Sequence, residues 1–188
     1  MTQQTANSSS TQPALRVVLD TNVLLSLYVF ADSRFAPLRA QIETGQWQAI
    51  SSAECLAEFR RVLDYPHFAL TGERQDTAYA QYRQAVHCVT TAATEEERSA
   101  LLIQANKSFL PRMNPVTRTT LPILPLCKDR DDQKFLETAL AGAADWLITA
   151  DKALLVLARR ERLRGLFRIL TPETALNPET SVFRFQCR

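Results

Sequence analysis

The chain has 188 residues, 46% hydrophobic and 22% charged, which suits one domain with a packed core. No apolar run approaches the roughly 18 residues of a membrane span, so no membrane-spanning helix is expected. A formal net charge of +2 does not announce nucleic-acid binding by itself, although "RRERLRGLFR" places five arginines in ten residues and arginine forks suit phosphates.

The polar N-terminal stretch "MTQQTANSSSTQPA" has no hydrophobic centre; it reads as a disordered tail over residues 1–14 rather than a secretory signal. The four cysteines form no CxxC pair, and His67 and His87 are the only histidines and sit at no ligand spacing. Reduced, inert thiols in a cytoplasmic protein are therefore expected, and a zinc site is not.

"LRVVLD" is a continuous apolar run ending in the polar triplet Asp20-Thr21-Asn22, as expected of a strand buried on both faces. "NVLLSLYVFA" then reads as a helix, "SRFAPLRAQIETGQ" as a second helix stopped by Gly45, and "WQAI" as a second strand. Ser51 with Glu54 three residues later has the form of a capping box, opening a helix whose Leu56, Phe59 and Leu63 share a face and which Pro66 ends. "ERQDTAYAQYRQAVHCV" predicts a further helix with Tyr79, Tyr82 and Val86 on one side. Thr94 to Glu97 offers a second capping box before "RSALLIQANKSFL", and a proline-punctuated connection follows. "DDQKFLETALAGA" predicts a helix, "DWLITA" a strand, "DKALLVLARRERLR" a helix and "FRIL" a last strand. Strands alternating with helices imply a three-layer α/β/α sandwich around a mainly parallel sheet.

The acidic residues fall at particular places in this plan. Asp20 and Asp151 end strands, at the sheet edge where open parallel sheets bind ligands. Asp132 opens a helix on the face of Phe135, Leu136 and Ala139, and Glu58 borders an apolar stripe. Taken singly, the three aspartates read first as helix caps and Glu58 as a surface residue. Taken together they read as a cluster. Carboxylates about 4 Å apart repel by roughly 4 kcal/mol per pair at an effective dielectric near 20, so gathering them calls for a cation. Oxygen-only ligands favour a hard ion, Mg2+ or Mn2+, and such ions commonly bind substrate phosphates. Phosphodiester hydrolysis is the reaction that follows.

"VVLDTNVLLS", "SSAECLAEFRRVL", "DRDDQKFLETALAGAADWLITADKALL" and "ILTPETAL" resemble the PIN-domain nucleases, and among them the bacterial toxins of toxin–antitoxin pairs related to VapC. The likeness spans residues 16–176, within a domain expected over 15–176 and followed by a C-terminal tail over 177–188. Motif by motif, the resemblance puts the family's metal-ligating and catalytic acids on Asp20, Glu58, Asp132 and Asp151, with Asn22, Thr149 and Asp129 as supporting residues. It implies a Mg2+- or Mn2+-dependent endoribonuclease with an RNA substrate, a cognate antitoxin protein as partner, and a homodimer or higher assembly. Arg130, Lys152 and Arg159 are candidates to steer the RNA backbone, and Tyr28 and Trp146 are candidates for base stacking or for core packing. The chain departs from a compact PIN toxin in a longer insert at about residues 93–120, and in Ala150 where many relatives have glycine.

Two other phosphate-handling classes fit less well. A haloacid-dehalogenase-type phosphatase wants a second acid where Asn22 stands, and a response-regulator receiver wants an early acidic pair that is absent. The remaining alternative is a PIN-fold RNA-binding or scaffold protein without free nuclease activity.

Overall fold

The structure, a computed structural model, describes residues 14–91, 124–163, 165–177 and 179. The expected terminal tails, apart from residues 14, 177 and 179, lie outside this set, as do the 93–120 insert and the Thr94–Glu97 capping box.

A five-stranded, wholly parallel sheet forms the centre. Its strands are β1 (Leu15–Leu19), β2 (Trp47–Ser52), β3 (Val86–Val89), β4 (Trp146–Ile148) and β5 (Arg168–Leu170), in the spatial order β3-β2-β1-β4-β5. Among the described residues the α-helices are α1 (Thr21–Leu24), which runs on into a π-helical turn over Leu25–Val29, α2 (Ala36–Glu43), α3 (Ala53–Leu63), α4 (Gly72–Ala85), α5 (Gln133–Ala141), α6 (Lys152–Leu155) and α7 (Pro172–Leu176).

Strand side chains alternate between the two sheet faces, and the cores divide accordingly. Val17, Leu19, Ala49, Trp146 and Ile148 pack with the helices α1 to α4. Val18, Ile50, Leu147 and Ile169 pack with Phe135, Leu136 and Ala139 of α5. These are the three layers expected from the sequence. Gly142, at the end of α5, permits the close approach of that helix to β2: a Cβ there would lie 2.5 Å from Ile50 Cγ2.

Three local expectations are corrected. "VHCV" leaves the helix and forms edge strand β3; the helical face of Tyr79 and Tyr82 continues through Val86, which conceals the change of period. The cap of α3 is Ser52, whose Oγ accepts from Cys55 N at 3.3 Å, because β2 runs on through Ser51. The segment after Asp151 is one turn of α-helix followed by 3-10 turns at Val156–Arg159 and Glu161–Leu163, rather than one helix. Of the cysteines described, Cys55 and Cys127 are buried and free, and Cys88 is free but exposed.

Candidate active site

The strand order reverses beside β1, whose neighbours β2 and β4 lead away in opposite directions. Crevices at the carboxyl ends of strands form at such a switch point. The β1/β4 register ends at Leu19 opposite Ile148, which sets Asp20 beside Thr149. Asp20 is 2% exposed. Its Oδ1 accepts from Val23 N at 2.8 Å, capping α1, and its Oδ2 accepts from the Thr149 hydroxyl and from Ala150 N at 3.2 Å. Burial pushes its carboxyl above the usual range; these donors pull it down, and the Asp151 charge adds to the rise.

Asp151 follows β4 and caps α6, its Oδ1 accepting from Ala153 N at 2.5 Å. Its own N–H donates to Thr149 Oγ1 at 2.9 Å. Thr149 is thus a clamp between the two aspartates: it donates to one side chain and accepts from the backbone of the other.

Helices α3 and α5 form the facing side. Thr21 Oγ1 donates to Glu58 Oε1 at 2.8 Å, joining α3 to the start of α1. Glu58 Oε2 is ion-paired with the Lys134 ammonium. Lys134 is 13% exposed and also donates to the Asp131 carbonyl. Asp132 precedes α5 without capping it. Its carboxyl is pushed up to about 6, chiefly by burial, then by the charges of Asp151, Asp129 and Glu58, with Lys134 opposing.

One cavity is lined by Asp20, Glu58, Asp132 and Asp151 together. The chain therefore brings carboxylates from four separate segments to one place. Asn22 lines the same cavity, with no side-chain bond to an acid. Asp129 is exposed, does not line it, and spends Oδ1 on Asp131 N. Arg130, Lys152 and Arg159 are exposed and lie outside the cavity lining. Tyr28 and Trp146 are 7% and 3% exposed and belong to the core, which removes them as stacking groups.

Sequence reasoning missed Lys134, and it missed Tyr65, His67 and Phe68, which line the same cavity. The signal for Tyr65 was present: Glu58, Val62 and Tyr65 recur at i, i+4 and i+7, one face of a helix.

The donor chemistry fits a hard cation. All four acids offer oxygen alone, they line one cavity, and the Asp132 carboxyl is pushed up to about 6 by burial first and then by the charges of Asp151, Asp129 and Glu58. Among the described residues no group of three or more His, Cys, Asp or Glu side chains is disposed to hold a metal ion by itself.

Among the described residues no helix is long and apolar enough to cross a membrane. Comparison with curated proteins gives no match. Among solved structures the chain is similar to one in the crystal structure of VapBC2 from Rickettsia felis bound to a DNA fragment from their promoter. Identity is 14%, the TM-score is 0.48, and the match covers 84% of this chain and 98% of that one. Residues 16–153 match the PIN domain, and the chain belongs to the PIN-domain family of nucleases.

Proposed function

We propose that the protein is a divalent-metal-dependent endoribonuclease that hydrolyses RNA phosphodiester bonds, with Asp20, Glu58, Asp132 and Asp151 as its ligating and catalytic acids. The observation that carries this reading is the convergence of those four side chains on one cavity at the carboxyl edge of the sheet. Mg2+ or Mn2+ bound there supplies charge neutralisation at the phosphate and acidification of water.

The chain's own residues do the positioning. Thr149, Val23 N and Ala150 N fix both oxygens of Asp20; Thr21 fixes Glu58. Asp132, lacking a hydrogen-bonded cap, keeps its carboxylate free for the cavity. Asn22 lies beside these acids and supports the bound shell, while Asp129 acts at longer range through its charge on Asp132. Arg130, Lys152 and Arg159, outside the cavity, offer phosphate contacts to RNA strands leaving it.

The resemblance to VapC-related sequences supports a toxin with a cognate antitoxin, acting in the cytoplasm as a homodimer or higher assembly. Purified protein is expected to cut single-stranded RNA with Mg2+ or Mn2+, and to stop cutting in EDTA. Cleavage undiminished in EDTA sinks the metal reading. A folded protein that binds RNA and never cuts under any divalent ion is instead the PIN-fold binding protein. For the toxin, induced expression is expected to arrest growth, and an antitoxin gene beside it to relieve the arrest.

A further inference from the structure

We propose that Tyr65, His67 and Phe68, with Phe30 behind them, form a stacking ledge for a nucleobase of a single-stranded nucleic acid whose phosphate lies among the acids. The proposal rests on the nuclease reading of the cavity and names how its substrate is held.

The four rings run in sequence. Tyr65 and His67 have centroids 5.8 Å apart, His67 and Phe68 3.8 Å, and Phe68 and Phe30 5.8 Å. Tyr65, His67 and Phe68 line the acidic cavity itself. Among the described residues the exposed large apolar side chains are Phe30 (57%), Tyr65 (37%), Leu126 and Val156. Two of these four lie on this one ledge, and apolar surface gathered beside a polar cleft marks a binding face.

The ledge is held in place. Tyr65 N donates to the Val62 carbonyl at 3.1 Å and Phe68 N to the Tyr65 carbonyl at 3.1 Å. Pro66 opens the 3-10 turn Pro66–Phe68. Ala69 closes that turn at φ 49°, a left-handed conformation that a residue with a Cβ adopts only when its surroundings impose it. Glu58 and Val62 of α3 and Tyr65, one residue beyond the helix C-cap, line the same cavity.

An acidic pocket cannot attract a polyanion by its own charge, so substrate affinity has to come from elsewhere. Base–aromatic stacking supplies it without sequence preference. A protein segment carrying a basic side chain for the acids would use the same rings; the nuclease reading selects the nucleotide, which has an apolar base for the ledge and a phosphate for an ion among the acids.

The test is fluorescence anisotropy at low salt, run in parallel in EDTA and in Ca2+, with a short labelled single-stranded RNA, its DNA counterpart, and RNAs made abasic at one position at a time. Tyr65→Ala and His67→Ala are expected to weaken RNA binding by about 5- to 100-fold; Tyr65→Trp is expected to retain it. One abasic position should weaken the wild type and add nothing to Tyr65→Ala, the mark of a shared interaction. Equal losses for RNA and DNA place the contact at the base; a loss for RNA alone adds the ribose hydroxyl to it. Thermal melting confirms that the variants are folded.

Binding unchanged in folded alanine variants, or no binding by wild type, overturns the ledge, and in the former case the rings serve a protein partner or the fold. The two readings fail separately. Tyr65-dependent binding without cleavage under any divalent ion sinks the nuclease and leaves the ledge, and cleavage with no dependence on Tyr65 or on any base does the reverse.

Discussion

The two sides of the acidic cavity are built on different physical principles. On the sheet side, Asp20 is almost fully buried, and three donors from α1 and the end of β4 satisfy its carboxylate. On the helix side, Glu58 depends on one hydroxyl and one lysine, and Asp132 caps nothing. Hydrogen-bond donors hold the first side whether or not an ion is present. The second side is held by charge, and its balance changes as soon as another cation arrives. A single cavity thus joins a preorganised anchor to a face whose electrostatics wait on a ligand.

The largest effect is expected on the sheet side. Asp20→Asn keeps an oxygen for capping α1 but removes the charge and places an amide against the Ala150 N–H. RNA cleavage is expected to fall by 10²-fold or more, roughly the cost of removing one preorganised electrostatic group. The fold should persist by circular dichroism. Residual activity near wild type would remove Asp20 from the chemistry and leave it a cap alone.

The helix side is tested by Lys134→Met, which leaves the Glu58 carboxylate largely buried without its ion pair. Breaking a buried pair by removing one partner costs about 3–5 kcal/mol, and with the cavity open on one side the expected loss is roughly 2–3 kcal/mol. Urea unfolding in EDTA measures it. Added Mg2+ should restore more stability to this variant than to wild type, since the ion takes over the charge that lysine supplied. Equal stabilisation of both would place the ion away from Glu58.

The same contrast explains what could be read from sequence. The apolar runs that end at Asp20 and near Asp151 mark buried parallel strands, and the positions of both aspartates follow from chain order alone. The layered fold was legible for the same reason. Strand β3 was not, because "VHCV" is short, carries an exposed cysteine and continues the face of α4. The broken path after Asp151 was hidden by leucines that fit a continuous helix equally well. Lys134 could not be found by pattern: its partner lies on another helix, and their meeting depends on how α3 and α5 pack against the sheet. Asp129 sits close to the cluster in sequence and yet faces solvent, which spacing in a loop does not decide. Among the rings at the cavity, Tyr65 continues the spacing of Glu58 and Val62, whereas His67 and Phe68 sit in a 3-10 turn that has no periodic signature.

A smaller effect separates the two serines where α3 begins. Ser52 Oγ accepts from Cys55 N and from the Thr138 hydroxyl at 3.0 Å, so it both caps α3 and ties that helix to α5. Ser52→Ala is expected to cost about 1–2 kcal/mol in chemical denaturation. Ser51→Ala, at the position the sequence favours for the cap, should cost less, because Ser51 Oγ makes no capping bond.

The smallest effect concerns pH, and its sign is fixed by the direction of the Asp132 shift. Without metal the folded carboxyl titrates near 6, against 3.8 for the ordinary group. Between those values the folded protein binds more protons at this site than the unfolded chain does. Stability contributed by Asp132 is therefore present below about pH 4 and is lost as pH rises toward 6. The slope is shallow, because the carboxyl is partly open to solvent, which screens the charges acting on it. Melting temperatures in EDTA, taken as wild type minus Asp132→Asn, should decline across that window and level off above it. With saturating Mg2+ the decline should vanish or reverse, because the ion favours the charged carboxylate. A difference that is flat in EDTA would mean that Asp132 feels neither burial nor its acidic neighbours, and that the helix side is as settled as the sheet side.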